Sequence, residues 1–504
     1  MTSPTEFNSS CTIQVIHIAN KHKEDQVNSY LEKFDLPNDT YKKIISDFSN
    51  NLSTQLTSNN SSKNTSVKPV ITPIKKLNFT DPKPGKNCVF LDFGGKFFRV
   101  GLGTFAIDAS KCLKKPLLHT EVQILPVPKR LYTSSVEEIL NFVTQRVKVF
   151  TGSRAFLDHI NLGHGETIEI AFVFSFPFDY INNDMAQCKI RRFTKQVEFT
   201  SDDRDIAAML EQKLNGLNLE NSINFKVNCV LNDTTATLLS FANTNIYDVA
   251  TVDTTNCMIS LIFGTGLNIA YYDTILERLV CAEVGGYGEM GELDFIKTEI
   301  DTIVNQTSCH PGQQSFEKFG ISDPYMGEAV RLILQELIRK EVLFIESSID
   351  LAYDDEEPSP LDEEKSLLGS EFVSKILKNR DNIVQVQDLL AKYNLYGTFS
   401  DSQSVINICL AITKRATKLV AAMLCAIICR ISTKFSPSDE GTSIVVACDG
   451  NLWRKHPMIQ QDVHRYVHEF LRMNGNLTNV RFANSVLSSG PGAVACSFGR
   501  LWEA

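Results

Sequence analysis

Two short stretches, far apart in the chain, share one layout, and that layout limits the folds open to it. Residues 87–104 read NCVFLDFGGKFFRVGLGT, and residues 258–272 read MISLIFGTGLNIAYY. Each is a run of apolar, aromatic and β-branched residues, a turn carrying two glycines, and a second such run. Glycines in such a turn let backbone N–H groups approach an anion closely. The mirrored layout implies two related halves, each presenting one Gly turn. Just before the second hairpin, Val227, Cys229, Val230 and Leu231 form a β-rich run that ends on Asn232 and Asp233. A carboxylate at a strand terminus lies where open α/β sheets place their ligand crevices. A base beside anion-holding turns points to phosphoryl transfer.

The chain has 504 residues, too many for one core, so two domains are expected. Its 50 Lys and Arg against 59 Asp and Glu give a net charge of −9, which argues against a nucleic-acid partner. The 13 cysteines follow no CxxC or framework spacing and read as reduced thiols in the cytoplasm. No basic segment followed by an apolar one opens the chain, and the longest apolar run, Leu419 to Ile428, is too short to span a bilayer. No secretory signal and no membrane partner are therefore expected.

Taken in order, residues 1–24 read as a disordered tail and 25–86 as a helical segment that joins the larger domain. Asp39 is a candidate N-cap, and Tyr41, Ile44, Ile45, Phe48 and Leu52 form one apolar helical stripe. Residues 53–68, rich in Ser, Asn and Thr, read as a solvated loop. Glu169 to Phe178 is a strand ended by Pro177. Helices are predicted over Asp205–Leu214, Tyr325–Phe344 and Thr413–Ile431, a buried strand over Ser443–Ala447, and a flexible polar turn over Glu283–Gly288. The acidic run 353–364 reads as a solvated surface loop. Ser489-Gly490-Pro491-Gly492-Ala493 suits a tight helix start.

In this order the segments resemble the eukaryotic hexokinase family, from about Asn28 to Arg500. LDFGGKFFRV is similar to the family's first phosphate loop and FGTGLNIAYY to its second. FVFSFP, Phe193-Thr194-Lys195, AEVGGYG and PGQQSFEK resemble its sugar-binding segments, LNDTTAT its catalytic segment, and ACDGNLW and SSGPGAVA its adenosine-side segments. The resemblance implies an α/β, two-domain actin-like ATPase fold with an interdomain cleft. Its small domain would span 87–234 and its large domain 235–504, with the C-terminal segment free to return to the small one.

It further implies ATP-dependent phosphorylation of a hexose, glucose first, at the 6-hydroxyl, feeding glycolysis, by a cytoplasmic monomer or homodimer that uses ATP and Mg²⁺. Asp233 would be the catalytic base, with Lys195 steadying charge on the transferred group. Ser175, Phe176, Pro177, Thr194, Lys195, Asn232, Asp233, Asn268, Glu283 and Glu317 would bind sugar. Asp92, Gly94, Gly95, Lys96, Arg99, Gly264, Thr265, Gly266, Asp449 and Gly450 would bind the nucleotide, with Asp92 reaching Mg²⁺ through water. The chain departs from the family pattern at Lys96 and Phe97, where Thr or Ser and then Asn are usual. It also departs at Gln196, Val284, Asn451 and Pro491. Those departures keep a second expectation open, a sugar sensor or regulator with weak or no turnover.

Overall fold

The computed structural model describes residues 21–57, 65–77, 87–104, 122–159, 167–195, 197–198, 203–217, 223–243, 257–345, 368–433, 443–485 and 489–502. Thirteen strands are named in chain order: β1 Val70–Ile71, β2 Asn87–Phe93, β3 Phe97–Thr104, β4 Val122–Pro126, β5 Thr167–Phe174, β6 Phe178–Tyr180, β7 Cys188–Ile190, β8 Asn224–Leu231, β9 Cys257–Phe263, β10 Leu267–Asp273, β11 Arg278–Cys281, β12 Ser443–Asp449 and β13 Asn479–Asn484. They build a five-stranded sheet in the order β4-β3-β2-β5-β8 and a six-stranded one in the order β1-β11-β10-β9-β12-β13. A small β6–β7 ribbon stands apart.

The two sheets share one plan. In the first, β2, β3 and β4 run antiparallel while β5 and β8 lie parallel to β2. In the second, β9, β10 and β11 run antiparallel while β12 and β13 lie parallel to β9. The two glycine hairpins are thus equivalent parts of two related halves. The central strands are buried on both faces, as parallel strands must be when helices cover them.

Alternation along the strands sorts their side chains into layers. Val89, Leu91 and Phe93 pack under the helices Val136–Thr151 and Ile206–Asn215. Cys88 and Phe90 turn the other way, into an apolar layer shared with Ala270, Leu279, Val445 and Ala447 of the larger sheet. Two helices fill that layer, Asp233–Asn243 and Gly490–Gly499. They cross where Gly492 sits, and a Cβ there would lie 1.8 Å from the carbonyl oxygen of Ala236 and 2.4 Å from the Ser240 nitrogen. Only glycine allows that approach.

The outer face of the larger sheet packs on the helix Phe399–Ser432, which starts well before Thr413 with a capping box from Thr398 and Asp401. Arg415 on this helix is buried and holds both oxygens of Asp301 at 2.8 Å. Other boundaries also differ from the sequence reading. Residues 21–24 are helical, whereas 1–20 of the expected tail lie outside the described residues. Asp39 lies inside the first turn of Asn38–Thr57 rather than capping it. That helix runs through the expected loop to Thr57 because Leu52 and Leu56 continue its buried stripe. Thr65 and Ser66, expected in solvent, are buried against the Glu292 carboxylate. The helix predicted to reach Phe344 stops at Arg339. The acidic run 353–364 lies outside the described residues.

Gly492→Ala forces the two central helices apart. The expected loss is about 2–4 kcal/mol, read from the urea midpoint. An unchanged midpoint would show that the crossing tolerates a methyl group.

Candidate active site

The two glycine turns face each other across a cleft of about 490 Å³. Each turn is closed by its own backbone, Gly94 N–H donating to the Phe97 carbonyl and Gly264 N–H to that of Gly266, both at 3.0 Å. Gly94, Gly95, Lys96, Arg99, Gly264, Thr265, Gly266, Asp449 and Gly450 all line the cleft. Gly450 has φ +114°, and a Cβ there would strike the Phe263 carbonyl oxygen at 2.3 Å, so this strand-end turn requires glycine.

Asp92 lines the same cleft from the end of β2, directly opposite Arg99 on β3. One carboxylate oxygen, Oδ2, accepts from Arg99 Nη1 at 2.8 Å and from the Ser489 hydroxyl at 2.7 Å. Burial pushes the Asp92 carboxyl up from its ordinary range, while Arg99 and Ser489 pull it back. Its other oxygen takes no hydrogen bond from the described residues. That leaves one anionic acceptor facing the cleft, which fits a hydrated Mg²⁺ held through water.

At its inner end the cleft meets a smaller chamber of about 40 Å³. Ser175, Lys195, Asp233 and Gly266 line both spaces. Pro177, Thr194, Asn232, Asn268, Glu283 and Glu317 line the chamber. Asn232 Oδ1 accepts from Thr234 N–H at 2.9 Å, which closes the start of the helix Asp233–Asn243. Asp233 is therefore a half-buried carboxylate in the first turn of that helix, where the N-terminal dipole favours negative charge. Lys195 holds a left-handed backbone, φ 64°, and its ammonium donates to the Ser175 carbonyl at 2.9 Å.

The expected flexible turn after Cys281 is instead buried. Glu283 is left-handed, φ 51°, and opens a short 3₁₀ turn over Val284–Gly286. Its Oε1 accepts from Asn268 Nδ2 at 2.9 Å. Glu317 accepts the Leu267 N–H at 2.9 Å, and burial pushes its carboxyl up to about 7. Phe176 does not line the chamber. Its ring joins Phe93, Phe174 and Phe193 in an aromatic cluster.

Two ion pairs tie the walls together. Near the chamber, Arg192 grips Glu289 with bonds of 2.7 and 2.8 Å, and Glu289 accepts from Gln314 N–H at 2.7 Å. At the cleft mouth, Lys96 reaches from the first glycine turn to Asp323 at 2.7 Å, and the Asp323 N–H donates to the Gly264 carbonyl at 2.9 Å. Lys96 is thus engaged across the cleft, and Phe97 is 43% exposed there. Val284 is buried, Asn451 and Pro491 line the cleft, and Gln196 lies outside the described residues. Ser489, Gln314, Asp323 and Tyr132, which bonds the Gly95 carbonyl at 2.9 Å, escaped the sequence reading. Ser489 had one signal, a serine directly before a Gly-Pro-Gly helix start.

Two family models, both described as Hexokinase, match residues 26–243 and 258–498. The chain belongs to the hexokinase family. Human Hexokinase-1 is 27% identical over 486 residues, 94% of this chain and 48% of the relative. Hexokinase-1 of Rattus norvegicus is 28% identical over 80% of this chain and 40% of its own length. Both are thus matched over about half their length or less. The Hexokinase of Brugia malayi is 24% identical, over 88% of this chain and 72% of its own. Among solved structures, a hexokinase from Schistosoma mansoni complexed with glucose superposes with TM-score 0.76 at 23% identity, over 95% of this chain and 99% of that one. A second hexokinase crystal structure gives TM-score 0.71 at 17% identity, over 96% and 99%. These likenesses establish the two-domain actin-like sugar-kinase fold for this hexokinase-family chain.

The raised Glu317 carboxyl yields a prediction for this hexokinase-family chain. The folded state holds that proton above the unfolded value of 4.5, so stability falls as pH rises from 4.5 to about 7 and stays reduced above. Glu317→Gln removes the charged form. The ligand-free variant should gain about 2 to 3 kcal/mol over wild type at pH 8 and nothing below pH 4.5. Urea unfolding at both pH values measures it, and a gain that does not change with pH overturns it.

Proposed function

We propose that this chain transfers the terminal phosphoryl group of ATP to the 6-hydroxyl of a hexose, glucose in the first instance. One observation carries the reading: Asp233 and Lys195 line both the small polar chamber and the larger glycine-lined cleft. A sugar hydroxyl in the chamber and a phosphate in the cleft would meet at these two side chains. The chamber supplies Asn232, Asn268, Glu283 and Glu317 as acceptors and donors for hydroxyls. The cleft supplies backbone N–H groups and the hydroxyl of Thr265 for phosphate oxygens. The schistosome relative bound glucose, which favours that sugar.

In the reaction the 6-oxygen attacks the terminal phosphorus, the bond from that phosphorus to its bridging oxygen breaks, and ADP leaves. Asp233 takes the hydroxyl proton, and Lys195 meets the charge that builds on the transferring group. Mg²⁺, held through water by Asp92, would neutralise the polyphosphate. The Arg192–Glu289 tie anchors the backbone of Gln314 at the chamber wall. We take 87–234 as the small domain, with the helix Gly490–Gly499 returning to it, and the remainder as the large domain. A cytoplasmic setting suits the eleven described cysteines, none of them in a disulfide.

The Lys96–Asp323 pair favours a second reading, a sugar-binding protein whose bridge keeps nucleotide out. Magnitude decides between the two. Lys96 is nearly half exposed, so the pair is worth at most about 1 kcal/mol. A polyphosphate with several charges can displace it and keep Lys96 as a phosphate contact.

Asp233→Asn should lower kcat by about 10²- to 10⁴-fold and leave sugar affinity within about threefold. Coupled assay and calorimetry read the two, and a variant with substantial turnover defeats the mechanism. Glucose binding by the wild type without turnover, with turnover appearing in Lys96→Thr with Phe97→Asn, would establish the second reading instead.

A further inference from the structure

β11 ends on Cys281, which pairs with Val70 of β1 on one side and Ala270 of β10 on the other. Strand alternation then puts Cys281, Ala270 and Asn268 on one face, the face that turns into the apolar layer between the sheets. The sulfur is buried and lies 3.2 Å from Glu283 Oε1 and 3.2 Å from Asn268 Nδ2. Asn268 Nδ2 also donates to Glu283 Oε1, at 2.9 Å. The three side chains form a closed triangle, and both of the thiol's partners line the chamber, whereas the thiol lines a water-sized void behind it.

Glu283 needs such support. Its backbone is left-handed, a strained state for a side chain with Cβ, and its Oε2 has no hydrogen-bond partner among the described residues. Burial and the neighbouring carboxylate push the Cys281 thiol well up from its ordinary value, so the proton stays on sulfur and is available to donate. A thiol suits this place better than a hydroxyl. It loses little on leaving water for an apolar layer, where a hydroxyl offers the same donor at a greater desolvation cost.

We propose that Cys281 is a positioning residue that, with Asn268, clamps Oε1 of Glu283 and so turns Oε2 toward a sugar hydroxyl in the chamber. This rests on the reading of Glu283 as a sugar acceptor. Arg191, Asp233 and Glu317 act on the same carboxylate or thiol electrostatically, and they stay constant across the variants.

The test compares Cys281→Ser, Cys281→Ala and Cys281→Val in the full chain. Glucose binding is titrated by calorimetry without nucleotide, and steady-state kinetics run alongside. Ala and Val should weaken glucose binding and raise KM by about three- to tenfold, with kcat within about twofold. Ser should restore most of the affinity. Val fills the space of the thiol and is larger by roughly one methyl group, on a strand that suits a β-branched residue, so it carries the test if Ala fails to fold. Wild-type affinity in Val, or a Ser variant as weak as Ala and Val, overturns the proposal. Wild-type binding without phosphorylation defeats the kinase reading alone, because the calorimetric arm still reads Cys281. No glucose binding by wild type overturns both.

Discussion

The apolar layer between the two sheets governs the position of everything chemical in this molecule. Both sheets send alternate strand residues into it, and two short helices lie there in direct backbone contact at Gly492. One of them begins with Asp233, and Ser489, immediately before the other, bonds Asp92. Two carboxylates that line the cleft, Asp92 and Asp233, are therefore placed by packing, not by loops. Close-packed interiors resist displacement of even one methylene, which suits groups that must act within tenths of an ångström.

Electrostatics then divides the site into a firm end and a loose end. The Arg192–Glu289 pair is two-pronged and partly buried, and Glu289 also takes a backbone N–H. The Lys96–Asp323 pair is single-pronged and half in solvent, hence screened by salt. Such an arrangement keeps the chamber walls together while the cleft mouth can part. The departures from the family pattern lie mostly at the loose end: Lys96, Phe97, Asn451 and Pro491 all line the cleft.

Much of this was legible in the chain because strands and turns leave local marks. The two glycine hairpins, the strand ending on Asn232-Asp233 and the glutamates of the chamber stand where their neighbours in sequence put them. Helix extents were less legible. Residues 53–57 look like loop by propensity, yet Leu52 and Leu56 bury against the core and carry the helix onward. The helix Phe399–Ser432 was read only over its apolar stretch, although Thr398 and Asp401 spell a capping box at its start. Phe176 reads like a chamber residue because Ser175 and Pro177 flank it, but a ring of its size finds its best partners in the aromatic cluster. Single polar residues such as Asp323 and Tyr132 carry no pattern at all. Their roles come from contacts between distant segments, which one sequence does not display.

The place of the helix Gly490–Gly499 has a consequence for how the protein is made. It covers one face of the sheet built from β2, β5 and β8, yet it leaves the ribosome only after the entire second half of the chain. Until then Cys88, Phe90, Ala171 and Val173 lack that helix over part of their inward face. The first half therefore lacks part of its packing until residues 490–499 are made, unlike domains that complete their core as they emerge. That interval, with part of an apolar sheet face uncovered, is when a nascent molecule of this design is most exposed to aggregation.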